Sequence, residues 1–344
     1  MQTRFGLLLG AWRRLCRRFG FVLGAAVLLL GHFCCSSYRL PPLSPRVAAL
    51  PARLSQAHLY RDASLRDLSR DLRAFAPAFE LWSDGAEKRR WIRLPAGTAI
   101  DTAHMDSWVF PVGTELWKEF SEHGRRLETR LLTRVAEEED GWVAVAYRWN
   151  AEGTDALALP EGEEDVLETG HDVPNARACM TCHAGRPERV LGFSALQLSH
   201  APSSEDDWTL ERLAREGLLT VPPKAPFAIP GNPTEVAALG YLHANCGACH
   251  NGARPDRPRY YRPPPELDLW LQVAALESPA ATPTYRSALG EFVLPGDPQE
   301  SPLFRRFAHP SLFRRRMPPL ATEVIDPNGR RLLERWIQGL AAPS

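Results

Sequence analysis

The chain has no net charge: 41 Lys and Arg residues balance 41 Asp and Glu residues over 344 positions. That balance gives no global attraction to a nucleic-acid backbone or an anionic membrane surface. Methionine is scarce, with only Met1, Met105, Met180 and Met317, so a site that needs a thioether has few to choose from. Spare cysteine is lacking too. Of seven cysteines, Cys16, Cys34 and Cys35 lie in the first 35 residues and the other four stand in two short motifs. None is left over for a structural disulfide, even in a compartment that would allow one. Long apolar runs are also missing. The best candidate, Phe19 to Gly31, has 13 residues, against the roughly 20 of a membrane-spanning helix.

What is present begins with the N-terminus. Arg4, Arg13, Arg14, Arg17 and Arg18 precede the apolar run, and Cys34-Cys35-Ser36-Ser37 follows it. This order reads as a secretory signal peptide or N-terminal anchor over residues 1–35. Cys34 or Cys35 is a candidate for lipidation, although His32-Phe33 suits such a site poorly. The chain is therefore expected outside the cytoplasm, in the periplasm or beyond, either freed or held at the membrane by its N-terminus.

Two motifs carry the chemistry: Cys179-Met180-Thr181-Cys182-His183 and Cys246-Gly247-Ala248-Cys249-His250. Cys-x-x-Cys-His is the attachment pattern for c-type haem. Two thiols add across the porphyrin vinyl groups, and the adjacent imidazole is offered to the iron. Zinc sites place their cysteine pairs roughly 15–20 residues apart, whereas 63 residues separate Cys182 from Cys246. A thioredoxin-like dithiol would need a βαβ pattern, and none is visible. Two haem c groups are expected, bound by Cys179, Cys182, Cys246 and Cys249, with His183 and His250 as iron ligands.

The sixth ligands are unequal in clarity. Met317 lies in the Pro-stiffened run Arg316-Met317-Pro318-Pro319-Leu320 and is expected opposite His250. A thioether opposite histidine raises the reduction potential and suits electron transfer. The first motif has no downstream methionine before Cys249, which leaves His200, Met105, His171 and His104 as candidates, or an open position. His243, three residues before Cys246, reads as a packing residue. Arg305, Arg306, Arg314, Arg315 and Arg316 cluster around the Met317 loop, either as a rim that steers an acidic redox partner or as a solvated face.

The 31 prolines favour loops over long helices. The periodicity predicts an α+β multidomain chain: an antiparallel β-rich domain followed by a mainly helical cytochrome c-like part. The expected divisions are a Pro-rich linker with a short helix (36–76), the β-rich domain (77–160), a first haem-binding segment (161–228) and a cytochrome c-like domain with the second haem (229–344). The short helix is expected within 52–73, where Leu59, Leu65, Leu68 and Leu72 recur. Strands are expected at 89–94, 107–110, 115–120, 126–135 and 141–149. Ser203-Ser204 is expected to cap a helix over 205–216. Asn232-Pro233-Thr234-Glu235 predicts a capped helix running into Cys246. Asp326-Pro327 starts a terminal helix with Leu332, Leu333, Trp336, Ile337 and Leu340 on one face. Gly240 is expected to allow these two helices to approach beneath Trp336.

The stretch Leu81 to Trp91, together with Trp108-Val109-Phe110-Pro111-Val112-Gly113-Thr114, Glu128 to Leu132 and Tyr147-Arg148-Trp149-Asn150, resembles a family of little-characterised bacterial dihaem c-type cytochromes. Val190 to Phe193, Tyr241 to Asn245 and Met317 to Leu320 continue the likeness across roughly residues 60–340. It implies an exported haem protein and leaves substrate and partner open. The favoured reading is an electron carrier. Its rivals are a peroxidase-like haem oxidoreductase with an open first iron, and a cell-wall or carbohydrate-binding protein whose haems are accessory.

Overall fold

A computed structural model describes residues 45–138, 141–202, 204–253, 266–309, 317–318 and 322–341. The signal or anchor with Cys34 and Cys35, and Arg314, Arg315 and Arg316 of the arginine cluster, lie outside the described residues. Among the described residues, no helix is long and apolar enough to cross a membrane.

Six strands form an antiparallel meander in chain order: β1 (Arg73–Ala74), β2 (Glu87–Arg93), β3 (Glu115–Glu122), β4 (Arg125–Arg134), β5 (Trp142–Trp149) and β6 (Ala156–Ala158). A mainly helical region follows, so the chain is α+β as its pattern predicts. Side chains alternate across the pleat, and the register turns that alternation into rows. Ile92, Leu116, Leu132 and Ala144 lie side by side on one face, while Trp91, Trp117, Leu131 and Val145 form a row on the other.

Both faces are covered. Residues before β1 cover the second: Leu54, Leu59, Tyr60, Leu65 and Leu72 are buried with Trp91, Trp117, Tyr147 and Trp149. The helix expected over 52–73 does not form. That segment holds one 3₁₀ turn, Leu54–Gln56, after a single turn α1 (Pro45–Ala48). Leu65 sits at φ 52°, beyond a turn in which Asp62 accepts from the Ser64 amide. The leucine spacing serves burial against a broad sheet rather than a helical stripe. The strand expected at 107–110 reduces to one bridge between Asp101 and Val109. Trp108 and Phe110 turn into the core while Val109 stays 50% exposed.

The first face is covered by the segment that carries the first motif. Val190, Phe193, Leu198, Trp208, Leu210, Leu213 and Leu219 share one core with Ile92, Leu116, Leu132 and Trp142. This segment therefore closes over the sheet and has no separate core in the part that covers it. Helix α2 (Ala176–His183) packs on β5. Helix α3 spans only Leu210–Arg215 and is capped by Thr209, not by the earlier serines, since the Thr209 side chain accepts from the Arg212 amide.

In the C-terminal region, α4 (Pro233–Asn245) has the expected capping box between Asn232 and Glu235. Short helices α5 (Pro283–Ala288) and α6 (Pro302–Ala308) precede α7 (Pro327–Gly339), which packs on α4. The close approach between α4 and α7 is at Gly329, whose missing Cβ leaves room for the Tyr241 ring. Gly240 serves another neighbour: a Cβ there would stand 2.1 Å from the Phe79 ring. Phe79 belongs to the segment that ties sheet to helices. The Trp82 amide donates to Asn245 Oδ1 at 2.7 Å, and Asp84 accepts from the amides of Glu323 and Val324, both at 2.8 Å.

Gly240→Val should force Phe79 out of place. We expect a loss of about 1–3 kcal/mol, read as a lower melting temperature. Gly339→Ala, with nothing within 4 Å of the added carbon, should not lower it.

Candidate cofactor-binding site

The two Cys-x-x-Cys-His motifs are each built on a helix end, and the fold brings them together. The first occupies α2, started by Asn175, whose side chain accepts from the Ala178 amide at 2.8 Å. The second forms the turn that closes α4: the His250 amide donates to the Cys246 carbonyl and the Leu269 amide to the His250 carbonyl, both at 2.9 Å. The turns then meet. The Cys182 and Cys249 thiols lie close enough to act on each other. A Cβ on Gly185 would stand 1.9 Å from the Ala248 carbonyl oxygen, so only glycine fits there. Asn251 locks the contact: its buried Nδ2 donates to the Gly185, Gly247 and Ala248 carbonyls at 3.1, 2.9 and 3.1 Å.

The chemistry of the donor set fits covalent haem better than the other uses of cysteine. All four thiols are free of disulfides. Burial pushes Cys179 up to about 11 and Cys246 up to about 12. The Cys249 thiol beside it, followed by burial, pushes Cys182 well above the usual thiol range. A dithiol redox centre needs a lowered thiol pKa, the opposite of what these surroundings produce. Among the described residues, no group of three or more His, Cys, Asp or Glu side chains converges as a metal cage.

His183 is held by one ring nitrogen. Its Nδ1–H donates to the Arg189 carbonyl at 2.6 Å. That bond fixes the tautomer and leaves the Nε2 lone pair available, as in metal-bound histidines whose other nitrogen is held by the protein. Burial is the main reason its pKa falls to about 4, so the ring is neutral at physiological pH. His250 is nearly buried, at 9% exposure.

The candidate sixth ligands separate by what already holds them. His200 has both ring nitrogens 2.7 Å from carbonyl oxygens, of Ala201 and Ala76, and is fully engaged there. His171 is buried with Nε2 2.9 Å from Glu128 Oε2. His104 is exposed. Met105 packs against the same core as Cys179 and Met180. Its loop is tied to the residues after that motif by Arg186 to the Asp106 carbonyl at 2.9 Å and Ser107 to Glu188 at 3.2 Å. Met317 is half-buried, and its amide donates to the Arg306 carbonyl at 3.4 Å. Arg305 pairs with Glu300 at 3.2 Å, and Arg306 is exposed. His243 is a core residue. Its Nδ1 accepts from the Leu271 amide at 3.1 Å and its ring lies 4.2 Å from Trp270. Burial, with Arg186 nearby, lowers its pKa to about 3.

Several residues of the site carry no motif. Beside the first motif, Glu128 is fully buried and takes Arg130 on both oxygens, at 2.5 and 2.8 Å. Lys118 and Arg130 lie close enough to Cys182 and His183 to act on both electrostatically. The signal was present as charged side chains in the apolar phase of a strand: Leu116, Lys118 and Phe120 alternate on one face, as do Glu128, Arg130 and Leu132.

Comparison with known protein families, with curated proteins and with solved structures finds no match for the chain.

Asn251→Ala should loosen the contact between the two turns by about 1–3 kcal/mol, the cost of leaving buried carbonyls without a donor. Asn251→Asp should cost more, because a carboxylate would face the same three carbonyls. Chemical denaturation of the two variants beside the wild type gives the order.

Proposed function

We propose that this chain is an exported dihaem c-type cytochrome that carries electrons, with one covalent haem on Cys179 and Cys182 and another on Cys246 and Cys249. The observation that carries the reading is the pair of Cys-x-x-Cys-His turns packed against each other, with His183 held in the tautomer that leaves its Nε2 lone pair available. Haem iron held by histidine and a thioether cycles between ferrous and ferric states by single electrons. The protein's part is to attach, orient and shield. The cysteines fix each ring covalently. His183 and His250 supply nitrogen. Met317 is the candidate sulfur ligand of the second site, and Met105 is the candidate beside the first. Contact between the Cys182 and Cys249 thiols makes the two attachment sites neighbours within one protein body, which suits passage of electrons along a chain of carriers. The resemblance of the sequence to bacterial dihaem cytochromes supports the same reading.

A second reading, a haem-dependent oxidoreductase, draws on one observation: the buried Glu128–His171 pair lies beside the first motif, where an acid–base pair could serve an open iron. The carbohydrate-binding reading has less support, since no tryptophan among the described residues is exposed.

Expression with an export signal and the c-haem maturation apparatus, followed by a pyridine haemochrome assay, should give two haems per chain. Replacing Cys179 and Cys182 with Ala should reduce this to one. A colourless mature protein with the bare polypeptide mass would rule the reading out. Electron paramagnetic resonance should show two low-spin ferric haems; a stoichiometric high-spin signal would favour the oxidoreductase. Met317→Ala should lower the midpoint potential of one haem and leave the other in place. If neither potential moves, Met317 is a packing residue.

A further inference from the structure

The inner face of the sheet carries a row of charges that the fold alone does not explain. Arg90 of β2, Lys118 of β3 and Arg130 of β4 are directly opposite one another across the strands. Like charges so placed repel. The outer two are compensated: Arg90 by Glu80 at 2.8 Å, and Arg130 by Glu128. Lys118, between them, has neither an ion pair nor a hydrogen-bond acceptor among the described residues. Its ammonium meets only the face of Phe120, 4.7 Å from the ring centre.

The surroundings of Lys118 suit an anion. It is partly accessible to solvent, and burial, with Arg90, Arg130 and Lys88 around it, drives its pKa well down. Lys118 and Arg130 also lie close enough to Cys182 and His183 to act on both electrostatically, so the cationic row borders the first motif.

The direction of the row identifies the anion. Helix α2 packs on β5. From β5 the row runs away from the cysteines through Arg130 and Lys118 to Arg90, with about 4.8 Å between neighbouring strands, so Lys118 lies roughly 10 Å from the strand beneath the helix. A porphyrin tethered through its vinyl groups carries its two propionates on the far side of the ring. Taking the dihaem reading above as its premise, we propose that Lys118, flanked by Arg90 and Arg130, binds the propionate carboxylates of the haem attached to Cys179 and Cys182.

The test uses the mature, haem-loaded full chain, with haem labelled by ¹³C in its propionate carboxyl carbons. In the wild type, redox-difference infrared spectra should show one or both propionate bands displaced from the position of a solvated carboxylate. Lys118→Met should keep two haems per chain, move those bands toward the solvated position and shift one of the two midpoint potentials down. Lys118→Arg should restore both. Solvated propionate bands in the wild type would overturn the proposal, and this readout does not depend on whether a variant folds. So would unchanged bands and potentials in Lys118→Met. Solvated bands together with a potential that responds to added inorganic phosphate would assign the cationic row to a free anion instead. Absence of haem from the wild type would refute the dihaem reading itself, and the pyridine haemochrome count separates that failure from the others.

Discussion

The rest of the molecule depends on a close backbone contact that a single side chain secures. Gly185, just after the first motif, lies against the Ala248 carbonyl inside the second, and the Asn251 amide joins the backbones of both turns. Any residue other than glycine at 185 would separate the turns. Because α2 also packs on β5, and α4 on α7, this junction couples the sheet to the terminal helices. The segment Phe79 to Asp84 makes the same connection from the other side, through Gly240, Asn245 and the amides of Glu323 and Val324. Two Cys-x-x-Cys-His motifs with 63 residues between Cys182 and Cys246 thus become neighbours.

Around this junction the protein breaks local rules that it keeps elsewhere. The outer face of the sheet is an ordinary core of Trp91, Trp117, Leu131, Val145 and Trp149. The inner face interrupts its apolar rows with Arg90, Lys118, Arg130 and Glu128. Burying charge costs stability unless each charge is paired. Glu128 shows the pairing succeeding: despite complete burial its carboxyl is held below its ordinary range, with Arg130 and His171 offsetting the cost of desolvation. Lys118 shows the opposite, a cation with no such partner among the described residues. Departures of this kind cluster where function is served rather than folding.

The division of labour between the layers follows. The leucine-rich segment before β1 and the buried tryptophans make the sheet a rigid wall. The segment from 161 to 228 then closes over the other side and brings the first motif to it. In this arrangement the β-rich part is the structural floor of the first site. It need not be an independent module with its own ligand.

The sequence by itself determined the antiparallel sheet and the two long C-terminal helices, and it set out the two Cys-x-x-Cys-His motifs. Those features are written in local patterns: fixed Cys-x-x-Cys-His spacing, period-two alternation in Trp142 to Trp149, and the Asn232 and Asp326 caps. It did not determine the short elements. Leu59, Leu65, Leu68 and Leu72 satisfy a flat surface as well as a helix, and only the presence of the sheet decides between them. Nor could it place Gly240 beneath Phe79, pair Glu128 with His171, or align Arg90, Lys118 and Arg130. These depend on strand register and on contacts between residues far apart in the chain, and tertiary packing sets both because a one-residue slip would send every side chain of a strand to the opposite face.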